Sequence, residues 1–170
     1  KDVRFEKAKR HFFWFLQYWM GQALWVCLTA CAAIIAILSP EDDSLPVLAI
    51  VGMALWLTGF TIESVSDYQK RAFRKDNNPS QSFIHTGLWA RSRHPNYFGE
   101  ITLWIGIAVI ALNTLTGVEY ITLISPVFVY VLLTRMSGIN LLESIADERY
   151  GDLEEYQRYK RNTPVLIPKL

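Results

Sequence analysis

An all-α, polytopic membrane helix bundle is the fold class this sequence predicts, and three observations predict it. Of 170 residues, 51% are hydrophobic and 14% aromatic, and the apolar ones are gathered in blocks rather than at the short periods of a soluble core. One block runs for about 20 positions without a charge, the length that crosses a hydrocarbon core of roughly 30 Å. Cations crowd three of the segments outside the blocks and are missing from two others, as the positive-inside rule expects of a protein threaded through a bilayer.

The elements follow in order. The opening run Lys1-Asp2-Val3-Arg4-Phe5-Glu6-Lys7 has neither the apolar core nor the small-residue cleavage site of a signal peptide. With Lys rather than Met in first place, it predicts that residues 1–170 are a single membrane domain, the C-terminal part of a longer protein. A first span is expected at 18–38. A second, at 47–65, starts after Pro46 and meets its first charge, Glu63, after roughly 24 Å of helix rise. A third, at 97–112, begins just past Pro95, which suits the first turn of a helix with His94 as the residue before it. A fourth, at 120–134, carries Pro126 and is expected to kink there. These make about four transmembrane helices, followed by a C-terminal amphipathic helix.

Cys27 and Cys31 sit four apart inside the first block and read as small packing residues. Trp14, Trp19 and Trp89 fall where an interfacial belt would lie, whereas Trp25, Trp56 and Trp104 fall inside apolar blocks and read as packed.

The acidic connection Ser39 to Ser44 and the link Asn113 to Glu119 lack Lys and Arg. The N-terminal run, the middle connection (Lys70, Arg71, Arg74, Lys75, Arg91, Arg93) and the tail (Arg149, Arg158, Lys160, Arg161, Lys169) are therefore expected together on the cytoplasm-like side. A formal net charge of +1 gives no bulk argument for a nucleic-acid partner. Membrane lipids and a lipophilic small molecule are the expected partners.

Chemistry is expected at that basic side. Helical spacing puts Glu63, Asp67, Lys70 or Arg71, and Arg74 on one stripe. A carboxylate at the edge of the hydrocarbon region, as Glu63 is, faces a bundle interior rather than lipid. Past the turn-forming Asp76-Asn77-Asn78-Pro79-Ser80, the segment Gly87 to Glu100 concentrates Arg91, Arg93, His94, Asn96, Tyr97 and Glu100 at the mouth of a span. Arg91 and Arg93 at a helix N-terminus suit a phosphate or pyrophosphate, with an anionic lipid headgroup as the competing ligand. His94 reads either as a hydrogen-bonded structural residue or as a proton carrier. His11, His85 and His94 show no ligand spacing, so no metal is expected.

The string GLWARSRHPNYFGE, preceded by ESVSDYQKRAFR and followed by SGINLLE and YQRYKRNTPVLIP, resembles an uncharacterised membrane family related to the C-terminal domain of steroid 5-alpha-reductases. RHPNY alone is shared more distantly with isoprenylcysteine and phospholipid methyltransferases. The resemblance implies an NADPH-dependent reductase of a C=C bond in a steroid-like or polyprenyl lipid. It implies cofactor contacts from Asp67, Arg74, Asn96, Glu100 and Arg135, and it places Glu63 where those reductases tend to carry an asparagine. They also carry a histidine and a tyrosine in the tail. This chain has no histidine after His94, and Glu143 or Tyr150 is the substitute expected.

The reading thus assigns catalysis to Glu100, Glu143 and Tyr150, and cofactor binding to Glu63, Asp67, Arg74, Arg91, Arg93, His94, Asn96, Tyr97 and Arg135. Two alternatives stand beside it. One is an S-adenosylmethionine-dependent methyltransferase of a lipid or prenylated substrate; the other is a non-catalytic subunit or lipid-binding scaffold of a larger membrane assembly.

Overall fold

The structure is a computed structural model that describes residues 10–39, 47–77, 82–136 and 138–169. The basic run Lys1 to Lys9, the acidic stretch Pro40 to Ser44 and Asn78-Pro79-Ser80 lie outside the described residues. Every regular element among the described residues is helical. Helix α1 is Phe12–Leu38 and α2 is Val47–Asp76. A 3-10 turn, Gly87–Ala90, leads to α3, Pro95–Ala111. A second 3-10 stretch, Gly117–Leu123, runs into α4, Ile124–Val131, and then a π-helical turn, Leu132–Met136. Helices α5, Ile139–Tyr150, and α6, Glu154–Asn162, complete the chain.

Three stretches are long and apolar enough to cross a membrane: Phe12–Leu38, Val47–Asp76 and Gly117–Tyr150. Their apolar side chains face outward, as lipid-facing residues do: Ile37 is 80% exposed and Val47 75%. The chain is an integral, multi-pass membrane protein. By the same measure α3, which covers the third expected span, 97–112, has 17 residues and is not among the three. At 1.5 Å per residue it rises about 25 Å.

Local chemistry explains the boundaries. No charged residue interrupts Phe12–Leu38. Arg74 and Lys75 close the last turn of α2, where cations offset the negative end of the helix dipole. Pro95 occupies the first turn of α3 with His94 at the cap position, because the missing proline N–H has no partner to lose there. Thr116 and Glu119 form a capping box over the second 3-10 stretch. Pro126 lies in the first turn of α4, two residues past the change from 3-10 to α geometry. The helix type changes there rather than a long helix bending. The Thr122 carbonyl, four residues before Pro126, accepts a bond from Cys31 Sγ at 3.3 Å, so Cys31 does more than fill space.

Helices α2 and α3 pack most intimately, antiparallel, through Gly52, Gly59, Gly99 and Gly106. The second half of α1 packs Ala32 against Ala111 and Leu115, while residues 12–27 of that helix are exposed throughout. Ile101, Val129 and Leu133 form a second cluster, joined by Tyr97, Trp104 and Leu166. Trp25 is 41% exposed rather than packed, and Trp89 is buried rather than interfacial. Its indole Nε1 donates to the Ser66 carbonyl at 3.0 Å, and a buried indole needs such an acceptor.

Candidate functional site

Helix α2 continues past its apolar part, so Glu63, Asp67, Lys70 and Arg74 rise along one face of a single rigid element. The glycine contacts press that face against the start of α3. A Cβ on Gly99 would stand 2.6 Å from the Glu63 amide nitrogen. Glu63 and Asp67 thereby come within electrostatic reach of Glu100, and Asp67 and Glu100 of Tyr97. Asn96 Oδ1 is buried there without a hydrogen-bond partner.

Beyond the carboxylates lies a cavity of about 180 Å³ whose wall includes Lys70, Arg74, Arg93, His94, Glu143, Arg149 and Tyr150. A second recess of about 320 Å³, lined by Asp67, Lys70, Arg71 and Arg74, adjoins it through the shared Lys70 and Arg74. The first cavity is also aromatic. Phe83 sits with its ring centroid 5.2 Å from Tyr156, 5.4 Å from Tyr159 and 5.8 Å from Tyr150. Lys70 Nζ lies 4.7 Å above the Trp89 ring, close enough for a cation–π contact.

Glu143 organises the inner wall. Its Oε1 is 2.7 Å from His94 Nε2; a carboxylate accepts, so Nε2 carries the proton and donates. Its Oε2 is 2.8 Å from Arg93 Nη1. Arg93 Nε, buried beside that contact, has no hydrogen-bond acceptor. The His94 ring stacks on Tyr97 at 5.6 Å and 16°, which ties the cavity wall to the mouth of α3.

The tail closes the far side. Asp147 accepts Lys160 Nζ at 2.5 Å and the Tyr156 hydroxyl at 3.1 Å, and Tyr159 donates to the Trp89 carbonyl at 2.7 Å. Burial pushes the Tyr156 phenol above the ordinary tyrosine value, and its bond to Asp147 adds to the shift. Burial also raises Tyr159, since a phenolate would have to form away from water.

The structure therefore gathers Arg74, Arg93, His94, Glu143 and Tyr150 around one cavity, with Glu63, Asp67, Asn96, Tyr97 and Glu100 where α2 meets the start of α3. It separates two residues from them. Arg91 is exposed and does not line the cavity, because residues 91–94 form a turn before α3 in which Arg93, of the two arginines, points inward. Arg135 is exposed in the π turn and lines neither recess. Sequence reasoning put Lys70 on the stripe but missed its place over Trp89, and it missed the Phe83 ring and Arg149 as wall residues. No local spacing announces Phe83, which reaches the cavity from the connection between α2 and the 3-10 turn.

The fold and site define a polytopic helical membrane protein with a cation-rich, aromatic cavity at one end of its bundle. The DUF1295 family, described as a protein of unknown function, matches residues 1–163; the chain belongs to that family. It is also related to 3-oxo-5-alpha-steroid 4-dehydrogenase 1. It is 31% identical to the Mus musculus protein over 121 residues, which cover 71% of this chain and 42% of that one. It is 30% identical to the Rattus norvegicus protein over 70% of this chain and 40% of that one. With the Homo sapiens protein it shares 38% identity over 60 residues, 35% of this chain and 23% of that one. The chain thus spans less than half the length of these relatives. No solved structure matches it.

Proposed function

We propose that this chain carries the cofactor site of an NADPH-dependent reductase acting on a C=C bond of a steroid-like or polyprenyl lipid. The observation that carries the reading is the charge and donor pattern of the cavity. Lys70, Arg74, Arg93 and Arg149 face it together with the Glu143 carboxylate, and Arg93 keeps its buried Nε without an acceptor. Such a wall suits phosphate oxygens, which guanidinium groups meet two at a time. The aromatic faces suit a planar base. The kinship with 3-oxo-5-alpha-steroid 4-dehydrogenase 1 supports a reductase over other chemistries using the same pocket.

The residues divide the work by position. Arg74, Arg93 and Lys70 hold phosphate charge, and Asp67 accepts from a ribose hydroxyl. Asn96 offers its unpartnered Oδ1 to an amide N–H. Glu63, Tyr97 and Glu100 line the membrane-side end, where a lipid substrate would enter from the bilayer. Bound NADPH would supply the hydride, leaving the protein to orient the substrate and provide a proton. His94, held by Glu143, keeps a proton at the cavity wall, and Tyr150 carries a second one there.

The test is binding of NADPH against NADH and S-adenosylmethionine in mild detergent, read by thermal shift and cofactor retention. Saturable stabilisation by NADPH, about 2.7 kcal/mol at a hundred times the dissociation constant, is the expected result. Stabilisation by S-adenosylmethionine instead would move the assignment to methyl transfer. A folded protein that binds neither would be a scaffold.

A further inference from the structure

The segment after α6 runs back along the turn before α3 and joins it through the main chain. Arg93 N donates to Pro164 O at 2.9 Å, His94 N to Val165 O at 3.1 Å, and Lys169 N to Arg91 O at 3.0 Å. Ser92, fully buried, adds a side-chain link. Its Oγ donates to Leu166 O at 2.8 Å and accepts from His94 N at 3.2 Å. Leu166 packs in turn against the Ile101, Val129 and Leu133 cluster, so the strap is fastened to the bundle as well as to the turn.

We propose that Ser92 and the C-terminal strap, residues 163–169, are positioning elements that set the Arg93 guanidinium and the His94 imidazole at the cavity wall. Neither Ser92 nor the strap lines that cavity; they act through the backbone of their neighbours. The reason is local. Helix α3 begins at Pro95, so the amides of Arg93 and His94 have no helical carbonyl to bond, and buried amides left without acceptors are costly. The strap supplies those acceptors and with them a register. With both amides held, the backbone that carries the Arg93 and His94 side chains is fixed relative to the bundle. Lys169 bonding to Arg91 closes the register at the other end. The use of Arg93 toward NADPH rests on the function proposed above; its positioning by the strap does not.

Phenylglyoxal modification of the protein in mild detergent separates the two, read by tandem mass spectrometry at Arg93, with exposed Arg91 as the internal reference. In the unmodified chain Arg93 reacts slowly relative to Arg91. In Ser92→Ala, and in a chain ending at Asn162, the Arg93 to Arg91 ratio is expected to rise at least fivefold. Ser125→Ala, which removes a buried bond to the Thr29 carbonyl between α1 and α4, is expected to leave the ratio unchanged, so general loosening is not the cause. If the shortened chain fails to fold, Ser92→Ala alone decides. An unchanged ratio in folded Ser92→Ala overturns the inference. Added NADPH is expected to shield Arg93 in the unmodified chain and to do so less in Ser92→Ala. A raised ratio with no shielding in either chain keeps the strap's role and removes the cofactor reading.

Discussion

Gly59 and Gly99 meet backbone to backbone. A Cβ on Gly59 would stand 2.5 Å from the Gly99 carbonyl oxygen, and one on Gly99 2.7 Å from that of Gly59. Two turns further along, Gly52 and Gly106 repeat the contact at 2.7 Å in both directions. Lipid gives helices no hydrophobic reason to associate, so such close approach supplies much of the packing. It also sets the distance between the α2 carboxylates and the mouth of α3.

A methyl group at this contact can be accommodated only by moving backbone. Gly59→Ala and Gly99→Ala are each expected to destabilise the protein by about 1–3 kcal/mol, measured by unfolding in detergent. At Gly21 a Cβ meets nothing within 4 Å. Gly21→Ala is expected to be neutral or to stabilise by about 0.4–1 kcal/mol. Equal losses at all three sites would mean that close approach is not what the α2–α3 glycines provide.

Glu143 holds two partners with one carboxylate, 2.7 Å from His94 and 2.8 Å from Arg93. Removing it leaves Arg93, whose side chain is only 11% exposed, without its counter-charge. A double-mutant cycle on Arg93→Ala and Glu143→Ala is expected to show a coupling of about 1–3 kcal/mol. The exposed pair of Arg158 and Glu154, 3.9 Å apart, is expected to couple by less than about 0.5 kcal/mol.

Arg74 and Asn96 stand at the cavity mouth and beside it, and each offers polar atoms rather than core packing. Arg74→Ala and Asn96→Ala are expected to weaken NADPH binding by about 10- to 100-fold, the loss of one hydrogen bond to a charged or buried group. Melting temperatures without cofactor are expected to change little. Normal binding with easy unfolding would make both residues structural.

The buried phenols give an alkaline signature. Tyr156 and Tyr159 hold their protons above the ordinary tyrosine value in the fold and release them at about pH 10 once unfolded. Their contribution to stability is whole below about pH 10 and is lost as pH rises beyond it. Tyrosinate absorbance is therefore expected to retain a late phase coincident with unfolding. Tyr156→Phe with Tyr159→Phe removes that phase, and a late phase that survives would assign it to other tyrosines.

Much of this was legible along the chain. Long uncharged blocks announce membrane helices because a bilayer demands intrahelical hydrogen bonding over a set length. Pro95 and His94 marked the start of α3, and the i, i+4 stripe from Glu63 to Arg74 survives as one face of α2. Where the period of a single helix governs, the sequence could be read directly. It misjudged Trp89, whose place beside Ser66 depends on a packed partner. It treated Arg91 and Arg93 as equals because a helix N-terminus would use both.

What the amino-acid order determined by itself is the class, an all-α membrane protein, and the polar residues, from Glu63 to Glu100 and in the tail, that a site could draw on. What only the tertiary structure decided is which of those polar groups share a cavity. Glycine contacts set the depth at which Glu63 meets Glu100, and the strap's main-chain bonds turned Arg93 inward and left Arg91 outside. Both depend on contacts between residues distant in sequence and on backbone atoms that every residue carries, so no pattern of side chains announces them.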